Sequence, residues 1–217
     1  MKSFVVIIFS ISLQTCISNS APVNNSKTIW TPPKINQEGL KKAYFASGCF
    51  WCVEAIYESV KGVKEVHSGY AGGFTTNPNY NQIGTGRTGH AESVEVIYDP
   101  NQVNYATLLR VFFGSHDPTT PNRQGPDYGS QYRSIAFYTD EFERESIVNY
   151  IKILNDGNYF SNEIITEIKL LEKFYYAEDY HQDYEKNNPN NPYVKNVSIP
   201  RLKKFQKQYP ELLKEIH

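Results

Sequence analysis

Apolar and polar positions alternate at two spacings along this chain, and each change of spacing marks an element. Lys42-Ala43-Tyr44-Phe45-Ala46 is short and largely apolar and predicts a strand. Val53, Ile56, Tyr57 and Val60 recur at helical spacing and predict a helix from Val53 to Ser59. Lys61-Gly62 turns the chain into a second predicted strand, Val63 to Tyr70, which Gly69 and the pair Gly72-Gly73 end. Ala91 to Tyr98 predicts a third strand, with Val94, Val96 and Tyr98 on one face, Ser93 and Glu95 on the other, and Asp99-Pro100 as its stop. Asn104 is placed to cap a helix running to about Phe113, with Tyr105, Leu108, Leu109 and Phe112 as its apolar stripe. Arg133 to Tyr138 predicts a strand. Asp140 to about Asn155 predicts a helix with Phe142, Ile147, Ile151 and Leu154 inward. Glu163 to Leu171 reads as a further strand, Ala177 to Lys186 as a short helix, and the tail as loop plus a basic helix near Leu202 to Gln208. Between these elements, 71–90 and 114–131 are long loops rich in Gly, Pro and Asn, a length that usually signals function or disorder.

From 42 to 138 the predicted order is β-α-β-β-α-β. That is the ferredoxin-like, split βαβ arrangement: an α+β two-layer sandwich whose antiparallel or mixed sheet carries helices on one face. In this topology both long loops can reach the end of the first strand.

The first residues follow a different rule. Lys2 precedes the apolar run Phe4-Val5-Val6-Ile7-Ile8-Phe9, which is too short to span a bilayer and has the form of a secretory signal. Leu13-Gln14-Thr15-Cys16 resembles a bacterial lipobox, so residues 1–15 are expected to be removed and Cys16 to carry lipid. Cleavage after Ser20 and a cytosolic chain that merely begins apolar are the alternatives. Residues 16–40, with Pro22, Pro32 and Pro33, read as a tether or extended arm, which leaves 41–217 as the globular domain. The expected location is the bacterial periplasm or cell envelope, on the exported side of a membrane.

Composition mainly excludes. The 217 residues suit one domain with an extension, and a net charge of −1 gives no support for a nucleic-acid partner. Three cysteines cannot build a disulfide framework or a four-thiolate zinc site. His90, His116 and His181 lack metal-ligand spacing, so no metal is expected.

The chemistry concentrates in Ser47-Gly48-Cys49-Phe50-Trp51-Cys52-Val53-Glu54, where the predicted strand gives way to the helix. Unpaired N–H groups and the positive end of the helix dipole favour an anion there, and a thiolate is one. Cys52 lies one turn along on the same face, close enough for a disulfide. The plainer reading is two buried cysteines acting as small hydrophobes. A thiolate nucleophile is most useful beside an acid. Glu92, Tyr80, Tyr132 and Asp127, in or beside the long loops, are candidates, although each also reads as an ordinary surface or turn residue. On these grounds alone the chain is a thiol enzyme with undefined partners. A dithiol oxidoreductase of thioredoxin class and a surface-anchored binding module with incidental cysteines remain open.

Gly48-Cys49-Phe50-Trp51 is similar to the active-site signature of the peptide methionine sulfoxide reductase A family. Gly69-Tyr70-Ala71-Gly72-Gly73, Asn77-Pro78-Asn79-Tyr80, Thr88-Gly89-His90-Ala91-Glu92, His116-Asp117-Pro118-Thr119-Thr120, Gly129-Ser130-Gln131-Tyr132-Arg133-Ser134 and Ala177-Glu178-Asp179-Tyr180-His181-Gln182 resemble that family's blocks in the same order, over about residues 42 to 210. The resemblance implies a two-layer α/β fold around a mixed sheet and reduction of the S epimer of methionine sulfoxide, free or in oxidised proteins. It implies that Cys49 attacks the sulfoxide sulfur and that Glu92 protonates the oxygen, helped by Tyr80 and Tyr132. Phe50 and Trp51 would receive the S-methyl group, and Asp127 would shape the site and hold substrate. Cys52 would resolve the sulfenic acid to a Cys49–Cys52 disulfide. A thioredoxin-like protein would reduce that disulfide, with no bound cofactor and a monomer as the working unit. The chain departs from the family pattern in having no cysteine after Cys52, in Pro126 and Ser130 where Asn and Thr are usual, and in Tyr176 where Pro is common, a change expected to matter little.

Overall fold

A computed structural model of the chain describes residues 1, 31–32 and 37–215. The expectations for the signal segment and Cys16 lie outside the described residues. Strand β1 (Lys41–Ser47) leads into helix α1 (Phe50–Glu58), then β2 (Val63–Ala71), the short helix α2 (Tyr80–Gly84), β3 (Ala91–Tyr98) and α3 (Tyr105–Gly114). A small hairpin, β4 (Arg123–Gln124) and β5 (Asp127–Tyr128), precedes β6 (Ser134–Tyr138), α4 (Glu141–Asp156), β7 (Glu167–Leu170) and β8 (Phe174–Tyr176). The chain ends with α5 (Tyr184–Asn187) and α6 (Ile199–Gln208), the latter entered through a π-turn at Val194–Ser198.

The six-stranded sheet runs β7-β6-β1-β3-β2-β8. β3 lies between β1 and β2 and is antiparallel to both, so β1-α1-β2 is a split βαβ unit. β1 in turn separates β3 from β6, antiparallel to each, which makes β3-α3-β6 a second such unit interlocked with the first. β7 joins β6 in parallel and makes the sheet mixed, as expected. Side chains at the termini hold the helices in register: Asn104 accepts from the N–H of Thr107, Asp140 from that of Glu143, and Asn79 and Gln82 cap each other.

The main core lies between the sheet and helices α1 and α3. Phe45 of β1 stacks on Tyr57 at 5.3 Å and on Phe112 at 5.2 Å, and the Tyr57 hydroxyl donates to the carbonyl of Leu108 at 3.1 Å. Ile56 is fully buried, a contribution of about 1.5–3 kcal/mol from its side chain. This packing fixes where α1 starts, and so where Cys49 stands.

Several expectations need correction. α1 begins three residues earlier than its apolar spacing suggests. The loop 71–90 contains α2, and 114–131 contains the hairpin β4–β5. β3 does not alternate between core and solvent: Ser93 and Glu95 are as buried as Val94 and Val96. Glu95 accepts hydrogen bonds from Lys42, Tyr44 and Tyr176 and meets His67 Nδ1 at 3.2 Å. Tyr176 therefore has a definite role where little was expected. Phe142 is 65% exposed because it sits on the first turn of α4, outside the face that buries Ile147 and Leu154. The strand expected over 163–171 is ordered only as β7.

The helix expected over 177–186 does not form as one unit. Gln182 accepts from the N–H of Ser68 and donates to the carbonyls of Ser68 and Ala177, so its side chain ties the segment to β2. Asp183 adopts φ +50°, which breaks a right-handed helix. What remains is a 3-10 turn, Asp179–His181, followed by α5.

Candidate active site

Cys49 is the N-cap of α1, and its carbonyl accepts from the N–H groups of Cys52 and Val53. Cys49 thus stands at the positive end of the α1 dipole. Gly48 makes the junction possible: its φ is +94°, and a Cβ there would lie 2.7 Å from Gln124 Cβ. The hairpin β4–β5 therefore packs directly on the turn that presents the nucleophile.

Cys49 is 6% exposed and Cys52 1%. Burial, a hydrogen bond to Cys52 and the negative charges of Cys52 and Glu92 push the Cys49 thiol up. The same hydrogen bond pulls Cys52 down, assisted by the Arg201 guanidinium, and the hydroxyl of Tyr193 lies close by. The two thiols titrate as a pair, and the Arg201 guanidinium favours a negative charge on it. Arg201 is fixed by donating from Nε to the Ser115 carbonyl and from Nη2 to the Ser47 carbonyl, both at 2.9 Å.

Glu92, the second residue of β3, points into the same space. It is 2% exposed, and Oε2 accepts the backbone N–H of Phe50 at 3.0 Å. Burial pushes its carboxyl up to about 8; the Phe50 bond acts against this, and the charges of Asp127 and Cys52 add to it. Glu92 therefore holds a proton at neutral pH. Tyr80, at the start of α2, and Tyr132, at the end of the 3-10 turn Ser130–Tyr132, are half-buried. Burial, then the charges of Glu92 and Cys49, hold both phenols in the protonated form.

Aromatic side chains wall the site. Phe50 is fully buried and packs on Tyr80 and Tyr70. Trp51 stacks on Tyr184 at 3.7 Å, and its Nε1–H donates to His181 Nδ1 at 3.1 Å. Asp127 on β5 accepts from the hydroxyl of Tyr193 at 2.6 Å, and the same hydroxyl lies 3.9 Å from Cys52 Sγ. A cavity of about 490 Å³ reaches Cys52 between the hairpin and α6, with Asp127, Tyr193, Arg201 and Lys204 among its walls. Every site residue expected from the sequence within the described residues is thus gathered around the start of α1.

The family model for peptide methionine sulfoxide reductase matches residues 41–213. The chain belongs to the peptide methionine sulfoxide reductase family. The relative named peptide methionine sulfoxide reductase MsrA 2 from Synechocystis sp. is 47% identical over 184 residues, 84% of this chain and 86% of the relative. Peptide methionine sulfoxide reductase MsrA of Deinococcus radiodurans is 43% identical over 198 residues, 90% of this chain and 96% of the relative. Among solved structures, methionine sulfoxide reductase A of Corynebacterium diphtheriae aligns with a TM-score of 0.63 at 38% identity, over 70% of this chain and 77% of that one. Reduced Mxr1 from Saccharomyces cerevisiae aligns with a TM-score of 0.66 at 32% identity, over 73% of this chain and 91% of that one.

This member of the peptide methionine sulfoxide reductase family accommodates its departures locally. Pro126 sits at the tip of the hairpin, between the paired residues Gln124 and Asp127, where no ladder hydrogen bond needs its missing N–H. Sequence reasoning did not assign Tyr193, Ser198 and Arg201 to the site. They come from a tail of Asn, Pro and Lys whose local pattern carries no signal of proximity to Cys52. His181 and Glu178 were visible only as members of the block 177–182, without a role. Glu178 accepts from the Tyr70 hydroxyl and from the N–H of Tyr80, which ties α2 to the sheet. His90 pins the first loop: its Nδ1 accepts the N–H of Gly73 and its Nε2–H donates to the carbonyl of Thr75.

Proposed function

We propose that the chain reduces the S epimer of methionine sulfoxide, free or in oxidised proteins, to methionine, with electrons from a thioredoxin-like dithiol protein. The observation that carries this reading is a thiol pair at a helix start beside a buried carboxylic acid that is still protonated at neutral pH. A thiol–disulfide exchanger has no use for that acid, whereas a sulfoxide oxygen must be protonated to leave sulfur.

Cys49 Sγ attacks the sulfoxide sulfur as the thiolate and forms a transient S–S bond. That bond breaks as the oxygen passes from the substrate sulfur to Cys49 Sγ, one S–O bond lost and one gained, so the sulfoxide is reduced to methionine and Cys49 is oxidised to the sulfenic acid. Glu92 supplies a proton to the oxygen as charge develops on it, and the hydroxyls of Tyr80 and Tyr132 hydrogen-bond the same oxygen. Phe50 and Trp51 hold the S-methyl group against their rings, and Asp127, bonded to Tyr193, borders the substrate. Cys52 then attacks Cys49 Sγ, hydroxide leaves as water with a proton, and the disulfide closes. The dithiol donor reduces it to two thiols and is itself oxidised. Both sulfurs lie on one helix of one chain, so the cycle works in a monomer. Cys49→Ser should release no methionine even in a single turnover; release at the native rate would overturn the assignment of the nucleophile.

The segment outside the described fold sets the location. The apolar run Phe4–Phe9 and Leu13-Gln14-Thr15-Cys16 support export, lipid on Cys16 and a tether over 16–40 that holds the catalytic domain 41–217 at the exported face of a membrane. The mass of the mature N-terminus tests this. A lipid-modified Cys16 is expected, and a free N-terminus at Ala21 would show ordinary signal cleavage instead.

A further inference from the structure

Trp51 is held by ring contacts and by one hydrogen bond. Its stack on Tyr184, at 3.7 Å and 8° between planes, fixes the tilt of the indole, and Tyr193 at 5.9 Å and Phe50 at 6.2 Å border it without bonding its N–H, which keeps some freedom to turn within that plane. The hydrogen bond from Nε1–H to His181 Nδ1 removes that freedom. His181 also lies against the other groups of the site: ring centroids are 4.3 Å from Tyr80, 5.0 Å from Phe50 and 4.2 Å from Tyr180. One buried imidazole therefore touches both aromatic walls and one of the two phenols assigned to the sulfoxide oxygen.

We propose that His181 is a positioning residue for sulfoxide recognition, setting the in-plane orientation of Trp51 and the ring of Tyr80 as the neutral tautomer protonated on Nε2. The proposal rests on the reading above, in which Trp51 receives the S-methyl group.

The tautomer follows from the partners. Nδ1 accepts from Trp51, so the proton of the neutral ring lies on Nε2. Nε2 is buried without a hydrogen-bond partner; the nearest carboxylate oxygen, Glu178 Oε2, is 3.9 Å away and already accepts from Tyr70. An orphaned buried N–H is destabilising, so a ring kept for packing alone would serve better as Phe or Leu. The acceptor at Nδ1 is the feature those residues cannot supply. Burial holds the imidazole neutral by pushing it down to about 4, so the acceptor is present throughout the neutral range. A protonated ring would donate from both nitrogens and break the bond to Trp51.

Two variants separate the acceptor from the ring. His181→Phe keeps a ring and removes the acceptor; His181→Asn gives up the ring but places an amide oxygen near the position of Nδ1. Both are made in a full-length Trp30→Phe background, so that Trp51 is the single indole. Two readouts are taken: the ¹H–¹⁵N signal and solvent exchange of the indole N–H, and steady-state kinetics on methionine sulfoxide and its S-ethyl homologue. His181→Phe should raise KM about tenfold with kcat changed less than about threefold, and should weaken the preference for S-methyl over S-ethyl. Its indole N–H should lose its hydrogen-bonded shift and exchange faster, and His181→Asn should recover most of the shift and of KM. An unchanged indole signal with native KM in His181→Phe overturns the proposal. So does a fall in kcat and stability in both variants without any change at the indole, since that is the behaviour of core packing. If His181→Phe does not fold, the indole signal of His181→Asn alone decides: a lost bond with native KM overturns the proposal, and a retained bond with KM within about threefold of native supports it. If the parent enzyme releases no methionine at all, the functional reading fails, while the indole signal still reports the His181 bond.

Discussion

The backbone N–H of Phe50 donates to Oε2 of Glu92 at 3.0 Å, and yet that carboxyl group keeps its proton up to a pH of about 8. The bond ties the first turn of α1 to the first residues of β3 and favours the charged form, but burial outweighs it. An acid is thereby kept ready beside the nucleophile without being free to drift. Glu92→Gln should slow methionine release in a single turnover by about 10²- to 10⁴-fold. In the native enzyme the same rate should fall as pH rises through about 8, because only the protonated acid donates. In the variant that alkaline limb should vanish. A single-turnover rate unchanged by the substitution would move the proton donor to Tyr80 or Tyr132.

The same carboxyl makes a separate prediction about stability. Its value is raised from 4.5 to about 8 on folding, so between those pH values the folded state binds a proton that the unfolded state has lost. Stability therefore falls as pH rises through this window. Glu95 acts in the opposite sense: it is buried, but its bonds from His67, Tyr44, Lys42 and Tyr176 hold it down at about 2, so its contribution is lost as pH falls from the ordinary carboxylate range toward 2. Glu92→Gln should flatten the plot of Tm against pH between about 4.5 and about 8 and leave the fall toward pH 2 unchanged. A parallel shift of the whole curve would show that Glu92 ionises in the folded state as it does in the unfolded chain.

Tyr193 links the two ends of the cycle. Its hydroxyl donates to Asp127 and lies 3.9 Å from Cys52 Sγ. Tyr193→Phe leaves Asp127 half-buried without that donor and removes the polar group beside Cys52. The first methionine should still be released within about threefold of the native rate, while disulfide closure slows by about tenfold, the cost of one hydrogen bond to a charged group. Quench-flow with thiol counting separates the steps. Equal slowing of both would place Tyr193 in substrate binding instead.

The split in what the sequence disclosed follows the range of the interactions. β1, α1, β2, β3, α3 and α4 are written in local periodicity and caps, and the interlocked βαβ order follows from their sequence. Cys49 and Cys52 were legible because a helix start gives a thiol its chemistry within a few residues. Glu92 could be proposed but not placed, because its proton depends on burial, which no local pattern records. Tyr193, Ser198 and Arg201 reach Cys52 across well over a hundred positions, and His181 acquires its role only through Trp51. The segment 177–186 has helical composition, but the hydrogen bonds of Gln182 to β2 override it.

Cys52 carries the last prediction. Among the described residues the free cysteines are Cys49 and Cys52, and the chain has none after Cys52. They stand one helical turn apart, with the Cys52 N–H donating to the Cys49 carbonyl at 3.2 Å, so the sulfenic acid on Cys49 has one thiol within reach. The hydrogen bond with Cys49 and the Arg201 guanidinium pull that thiol down toward the anion, which is the form that attacks. Cys52→Ser should release one methionine per enzyme and then stop with a thioredoxin-like donor, while small thiols recycle it by attacking the sulfenic acid directly. Peptide mapping after one equivalent of substrate should find Cys49 linked to Cys52 in the native enzyme and a sulfenic acid on Cys49 in the variant. A sulfenic acid that persists on native Cys49 with Cys52 free, or full thioredoxin-driven turnover by Cys52→Ser, would remove Cys52 from the cycle and require a resolving thiol from outside the described residues.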